Sequence, residues 1–391
     1  MRHEENNMNT IAVGLLLYIN AGAYQSPFIG DQQVFPSDNP WNWDISGYAV
    51  HPNSDNFVNS VGASTSLHPD FGAEWNGVPN GIPYVVVSNS DPLVPVTFAV
   101  DGVEDDAYGD ESDPGPYRIP LDAPIEGGPV SRGDRHVIAI DTSSDSLYEL
   151  YYAFPKATFW EAMSGAIYNL SANDHHPDNW TSADAAGLPI FPGLVRYEEA
   201  VVKGEINHAI RITVSHTQRA YIFPARHYAS SSTNENYPPM GLRFRLKADF
   251  DISGFDPVCQ VILCAMKKHG LIVADNGSDW YISGAPDERW DDDVLNTLKA
   301  VKGSDLEAVL TVDGNGDPIF PSGTHHRVRT DIQRRMALPQ KGTLQIYDLA
   351  GRRISADGGL TRLEPGVCIV AGKDDGDMHA RRFIRLVFRA W

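Results

Sequence analysis

The sequence predicts a mainly β fold with a few helices, of the α+β class. Three observations carry that expectation. Glycine and proline are frequent, 34 and 27 of 391 residues, as needed where many strands are joined by tight turns. Apolar residues alternate over short runs, the period of a half-buried strand. Two segments show both a start and a stop signal for a helix.

In chain order, residues 85–87 and 94–100 read as short strands split by Ser90-Asp91-Pro92. Residues 135–141 and 147–154 make a hairpin around Thr142-Ser143-Ser144-Asp145-Ser146, with His136, Ile138 and Ile140 on the inward face. Residues 206–214 alternate, setting Ile206, His208, Ile210, Ile212 and Val214 on one face. Residues 242–250 repeat the pattern with Arg243, Arg245 and Lys247 outward. The first helix has Pro257 in its opening turn after Asp256, apolar Val258, Val261, Ile262, Ala265 and Met266, and a stop at Gly270. The second opens on Asp291-Asp292-Asp293, carries Val294, Leu295, Leu298 and Val301, and stops at Gly303. Acid at the start and base at the end of each suits the helix dipole.

The run from Ile11 to Ile19 has the length of a signal-peptide core and is too short to span a bilayer; Ala21-Gly22-Ala23 follows as a small-x-small cleavage pattern. Residues 1–23 are therefore expected to be a signal peptide. The mature chain would then have no membrane span and be secreted or held at the cell surface. The three cysteines make no disulfide framework: Cys259 and Cys264 lie five apart on the first helix, turned about 140° from each other, and Cys368 stands alone.

Charge divides the chain. Residues 327–391 hold 13 Lys and Arg against 7 Asp and Glu, a net of +6; the rest of the 31 and 51 leaves 18 against 44, a net of −26. A β-rich main domain is expected at 24–318 and a separate module at 327–391. The acidic body excludes nucleic acid as a partner, since phosphate binding needs a basic footprint.

In the C-terminal module, Leu344 and Ile346 followed by Asp348-Leu349-Ala350-Gly351 read as a half-buried strand stopped by a turn. The stretch Leu338-Pro339-Gln340-Lys341-Gly342-Thr343-Leu344-Gln345-Ile346-Tyr347-Asp348-Leu349-Ala350-Gly351-Arg352-Arg353-Ile354, then Leu363-Glu364-Pro365-Gly366-Val367-Cys368-Ile369-Val370 and Arg381-Arg382-Phe383-Ile384-Arg385-Leu386, resembles the C-terminal sorting domain of the type IX secretion pathway. It departs from that pattern at Cys368, where an aromatic is usual, and in a tail running on to Trp391. The resemblance implies a small immunoglobulin-like β-sandwich, a bacterial source and the secretion machinery as a partner. The segments from Glu111 to Pro120, Ile125-Glu126-Gly127-Gly128, Gly133-Asp134-Arg135-His136 and Trp180 to Pro189 are similar to secreted bacterial proteins, a likeness that implies no activity.

The body carries no Gly-x-Ser-x-Gly, His-Glu-x-x-His, phosphate-binding glycine loop or Cys-x-x-Cys. What remains are polar residues at strand starts and turns. His136 and His208, each on an inward strand face, can move protons, ligate a metal, or sit hydrogen-bonded in the core. Arg226-His227-Tyr228 follow Pro224, which breaks the strand and turns them to a rim. Glycoside hydrolysis needs one protonated and one charged carboxyl, and Glu111, Asp113, Glu126, Asp134, Asp184 and Glu205 are placed to supply them. Asp134 and Asp184 are the favoured pair: Asp134 leads into the strand of His136, and Trp180 could desolvate Asp184. Alternatively Thr181-Ser182 cap a short helix that Asp184 stabilises.

Trp41, Trp43, Trp75, Trp160, Trp180, Trp280, Tyr281 and Trp290 lie in loop-like sequence, where rings can stack on sugars or pin loops to the body. Asp313-Gly314-Asn315-Gly316-Asp317 has the spacing of a calcium loop, although Thr324 stands where an acid would close it; calcium at Asp313, Asn315 and Asp317 is the one cofactor the sequence suggests. The expected function is a secreted, polysaccharide-degrading glycoside hydrolase, with Asp134, His136, Asp184, His208, Arg226 and His227 catalytic and Trp180 and Tyr228 binding substrate. The alternatives are a polysaccharide lyase and a non-catalytic glycan-binding or cell-surface structural protein.

Overall fold

The computed structural model describes residues 24–103 and 107–321, with the backbone of three short strands beyond them. The chain divides into two compact units, Met1–Thr324 and His325–Trp391. The first is a mixed α+β fold dominated by sheets, with strands numbered here in chain order.

Its largest sheet has six strands in the order β1 (His68–Asp70), β12 (Tyr281–Ser283), β9 (Ile210–Val214), β11 (Leu271–Asn276), β10 (Arg243–Leu246) and β13 (Leu306–Val309). β9 runs parallel to β11 and antiparallel to β12, so it is central and hydrogen-bonded on both sides. Ile210, Ile212 and Val214 of β9 are fully buried, as their alternation predicts. A four-stranded sheet is ordered β2 (Tyr84–Val87), β4 (Val137–Asp141), β5 (Ser146–Tyr151) and β8 (Ser164–Asn169), and β4 and β5 form the expected hairpin. It is buried on both faces. Ile138, Ile140 and Leu147 join the main core, while Val137, Ala139 and Leu150 pack in a second one with Tyr117 and Trp160. A third sheet joins β3 (Val96–Phe98), β7 (Trp160–Ala162) and β6 (Phe154–Pro155).

Three α-helices are described: α1 (Ser54–Val61), α2 (Pro257–Lys268) and α3 (Asp292–Asn296). Asp256 caps α2 through the Val258 N–H, and Asp291 caps α3 through Asp293 and Val294, both where the sequence places a start. On α2, Cys259 is buried and Cys264 exposed, as their angular separation requires. Among the described residues no helix is long and apolar enough to cross a membrane.

Two expectations fail. Arg243 and Arg245 do not point to water; they are 1% and 8% exposed. Arg243 donates to the Pro40 carbonyl, and Arg245 to the carbonyls of Ile45, Ser46 and Tyr48 and to Glu307. An N-terminal segment covers that face of the sheet with backbone oxygen, which a strand's own pattern cannot reveal. Thr181-Ser182 likewise starts no helix. Ser182 accepts from the Asp184 N–H and donates to the Leu188 carbonyl, closing a turn instead.

In the second unit, β14 (Gln345–Asp348) pairs antiparallel with β15 (Arg353–Ile354) and with β16 (Val367–Val370). Three strands do not make the expected sandwich; the other residues expected to form it, and the expected signal peptide, lie outside the described residues.

Candidate functional site

Charged groups converge between the start of β4 and the central strands β9 and β11 of the large sheet. His136 stands just before β4, and Glu126 reaches it from a loop whose backbone is tied on: the Glu126 N–H donates to the His136 carbonyl at 3.0 Å. Gly127 and Gly128 turn the chain away at once, both with positive φ. At Gly127 φ is 68°, where a side chain is strained, and a Cβ there would also crowd Ser131 Oγ at 2.6 Å. Arg135 is itself left-handed, with φ 53°, a conformation uncommon for a residue with a side chain. Its guanidinium holds it there, donating to the carbonyls of Pro129, Ser131 and Ala153. The kink turns His136 inward and leaves Asp134 exposed.

His136 Nδ1 lies 2.7 Å from Glu126 Oε2, and its Nε2 lies 3.1 Å from the Ala183 carbonyl. A carbonyl only accepts, so Nε2 carries a proton; Nδ1, facing a carboxylate, carries the second. Burial disfavours this imidazolium, but Glu126 outweighs it and holds the ring up at about 9. Burial would raise Glu126, and the imidazolium beside it holds the carboxyl below its usual range instead. The Glu126 side chain is 25% exposed.

Arg211, on β9, is the second centre. It grips Asp184 through two bonds of 2.7 and 2.8 Å, reaches Asp275 at 3.1 Å and donates to Ser283 Oγ at 2.8 Å. Asp275 gets there by a bulge. The β11–β9 ladder runs Ile272↔Arg211 and Val273↔Ile212, then skips Ala274, bringing Asp275 opposite Thr213. Strand residues alternate in facing, so without the extra residue Asp275 would lie on the face of Ile210 and Ile212 rather than that of Arg211. The skipped Ala274 turns its carbonyl to the Ala186 N–H at 2.9 Å. The loop that carries Asp184 is thereby fastened to the bulge that carries Asp275. Burial and the nearby Asp184 push Asp275 up to about 7, against the opposing pull of Arg211 and His136.

Glu149, on β5, is fully buried behind this group. It accepts from the N–H groups of Ile190 and Phe191 at 2.8 to 3.0 Å, yet burial still pushes it up to about 7.

The residues expected from sequence are thus divided. Asp134, His136 and Asp184 belong to this group, as does Glu126 from the wider carboxylate set. Asp184 is 0% exposed, with both oxygens held by Arg211, so it positions its neighbours and cannot touch a substrate. His208 is elsewhere: its Nε2 meets Glu199 at 3.2 Å and Arg196 at 3.4 Å, sharing no partner with His136. Arg226 pairs with Asp178, and His227 bonds the Ala185 carbonyl while stacking on Tyr228. Glu111 accepts from the Thr181 N–H, Asp113 pairs with His176, and Glu205 is exposed. Trp180 sits edge-on to His176. Trp41, Trp43, Trp160, Trp280 and Trp290 are core residues, while Trp75 is 67% exposed. Asp313 Oδ1 accepts from the backbone of Asn315 and Asp317, closing the loop expected to take calcium upon itself.

Arg211, Asp275 and Glu149 were not expected from sequence. Each is a charge inside an apolar strand, and that interruption is the signal that could have found them. A small hollow lined by Phe35, Asn39, Trp41, His175, Pro189 and Pro224 contains none of these groups. No family model, curated protein or solved structure matches the chain.

Proposed function

We propose that the chain is an exported hydrolase of polysaccharides, with Asp275 as its proton donor and Glu126 as its anionic carboxylate. The carrying observation is the placing of two partly exposed carboxyls, 23% and 25%, in opposite surroundings within one charged group. Burial and the nearby Asp184 favour the protonated form of Asp275 near neutrality; Glu126 faces an imidazolium, which favours its anion. Glycoside hydrolysis needs that division of labour. Asp275 gives its proton to the glycosidic oxygen as the C–O bond breaks. Glu126 faces the positive charge that develops on the sugar or takes a proton from the water that adds to the anomeric carbon.

The lyase alternative needs free cations to neutralise a uronate, and the nearby ones are committed: Arg211 to two aspartates, His136 to Glu126, Arg226 to Asp178. Export rests on the sequence resemblance of the C-terminal module. Deletion of residues 327–391 is expected to leave the body folded but inside the cell; normal appearance in the medium would remove that part of the reading.

Incubation of the purified chain with a panel of polysaccharides tests the activity. New reducing ends are expected. Ultraviolet-absorbing unsaturated ends would establish a lyase, and retention without cleavage a binding protein.

A further inference from the structure

We infer that Glu126, Asp134 and His136 form a binding site for one divalent transition-metal ion of the zinc or manganese class. One donor atom from each side chain lies within 4.8 Å of the other two. The three differ in exposure: His136 is buried, Glu126 intermediate and Asp134 exposed. Such a set leaves the ion open to solvent on one side, as three-ligand sites with water in the remaining positions are.

The second observation concerns the histidine itself. Its Nε2 points at the Ala183 carbonyl, which fixes the proton on that nitrogen. Nδ1 is left as the metal-facing nitrogen, 2.7 Å from a carboxylate oxygen. Two acceptors cannot approach so closely unless a positive centre lies between them. A proton fills that gap, which an ion would displace on binding, and a carbonyl on the far ring nitrogen is the outer contact by which metal-binding histidines are oriented. The Ala183 carbonyl is placed by the turn in which Ser182 bonds the Asp184 N–H and the Leu188 carbonyl.

Ligands about 2.0–2.2 Å from one ion stand roughly 3 Å apart, so the exposed Asp134 has to close in while the His136–Glu126 contact of 2.7 Å opens slightly. One imidazole with two carboxylates selects against calcium, which takes six to eight oxygens.

The site shares Glu126 with the hydrolase reading, and its test does not use activity, so the two can fail separately. Purified full-length chain is titrated with ZnCl2 and, separately, with MnCl2 and CaCl2 by calorimetry. One equivalent of zinc or manganese is expected to bind, and more tightly than calcium. Asp134→Asn, an exposed substitution that leaves folding intact, is expected to weaken zinc binding at least tenfold. His136→Gln is expected to abolish it. Should His136→Gln fail to fold, Asp134→Asn decides alone. Absence of zinc and manganese binding, equal affinity in Asp134→Asn and wild type, or preference for calcium would each overturn the assignment.

Discussion

Among the described residues of the first unit, two histidine–glutamate pairs, His136 with Glu126 and His208 with Glu199, differ in how their charge is met. Around His208 a single carboxylate serves two basic groups: Arg196 bonds Glu199 at 2.6 Å and the imidazole bonds it at 3.2 Å. Burial would raise Glu199, yet Arg196 and His208 hold it down at about 2. That carboxylate is spent on the fold. Around His136 carboxylates outnumber cations, because Asp134 and Glu126 share one imidazolium while Asp184 and Asp275 share Arg211. Part of that excess faces water. The same two residue types are thus structural in one place and, in the proposed function, reactive in the other, and the surrounding count of charge makes the difference.

The comparison can be broken most forcefully at its two arginines. Arg211→Met leaves Asp184 and Asp275 without their cation, and about 3–5 kcal/mol of stability should be lost. Arg196→Met should cost less, because Glu199 keeps His208. Equal losses in urea denaturation would contradict the difference drawn here.

The next effects are in pH. Glu199 is depressed from 4.5 to about 2 in the folded chain. Its contribution is therefore present above the unfolded value and lost as pH falls from about 4.5 to 2. Glu199→Gln should flatten that acid limb of the melting temperature. Glu149 has the opposite sign. Its folded value is raised from 4.5 to about 7, so the folded state holds more protons and stability declines as pH rises across that interval. Glu149→Gln should reduce this decline while keeping one oxygen to accept from Ile190 or Phe191. An unchanged slope in either variant would show that the charge lies elsewhere. The smallest effect is expected at exposed Asp134, where Asp134→Asn should change stability by no more than ~0.5 kcal/mol.

Much of this architecture was legible in the sequence where the determinants are local. The hairpin of β4 and β5 followed from alternation around a polar loop, and α2 and α3 from capping aspartates. His136, Asp134 and Asp184 were legible as polar residues at strand starts and turns. The remainder depends on partners far away in the chain. Arg211 gains Asp184 from 27 residues away and Asp275 from 64, and Arg243 is covered by a carbonyl 203 residues distant. The bulge at Ala274 was not legible either, because it exists only relative to the register of β9. Periodicity predicts where an apolar side chain points. For a buried charge it predicts only that a partner must exist.

The most direct measurement is the pH dependence of kcat/KM for the wild type and for Asp275→Asn on a polysaccharide that the chain cleaves. With Asp275 as the proton donor, wild-type activity should fall on the alkaline side with a midpoint near 7, the value burial and Asp184 impose. Asp275→Asn should remain folded and lose about 10²–10⁴-fold in rate, the contribution of a positioned general acid. A variant that cleaves at the wild-type rate with an unchanged alkaline limb would contradict the account.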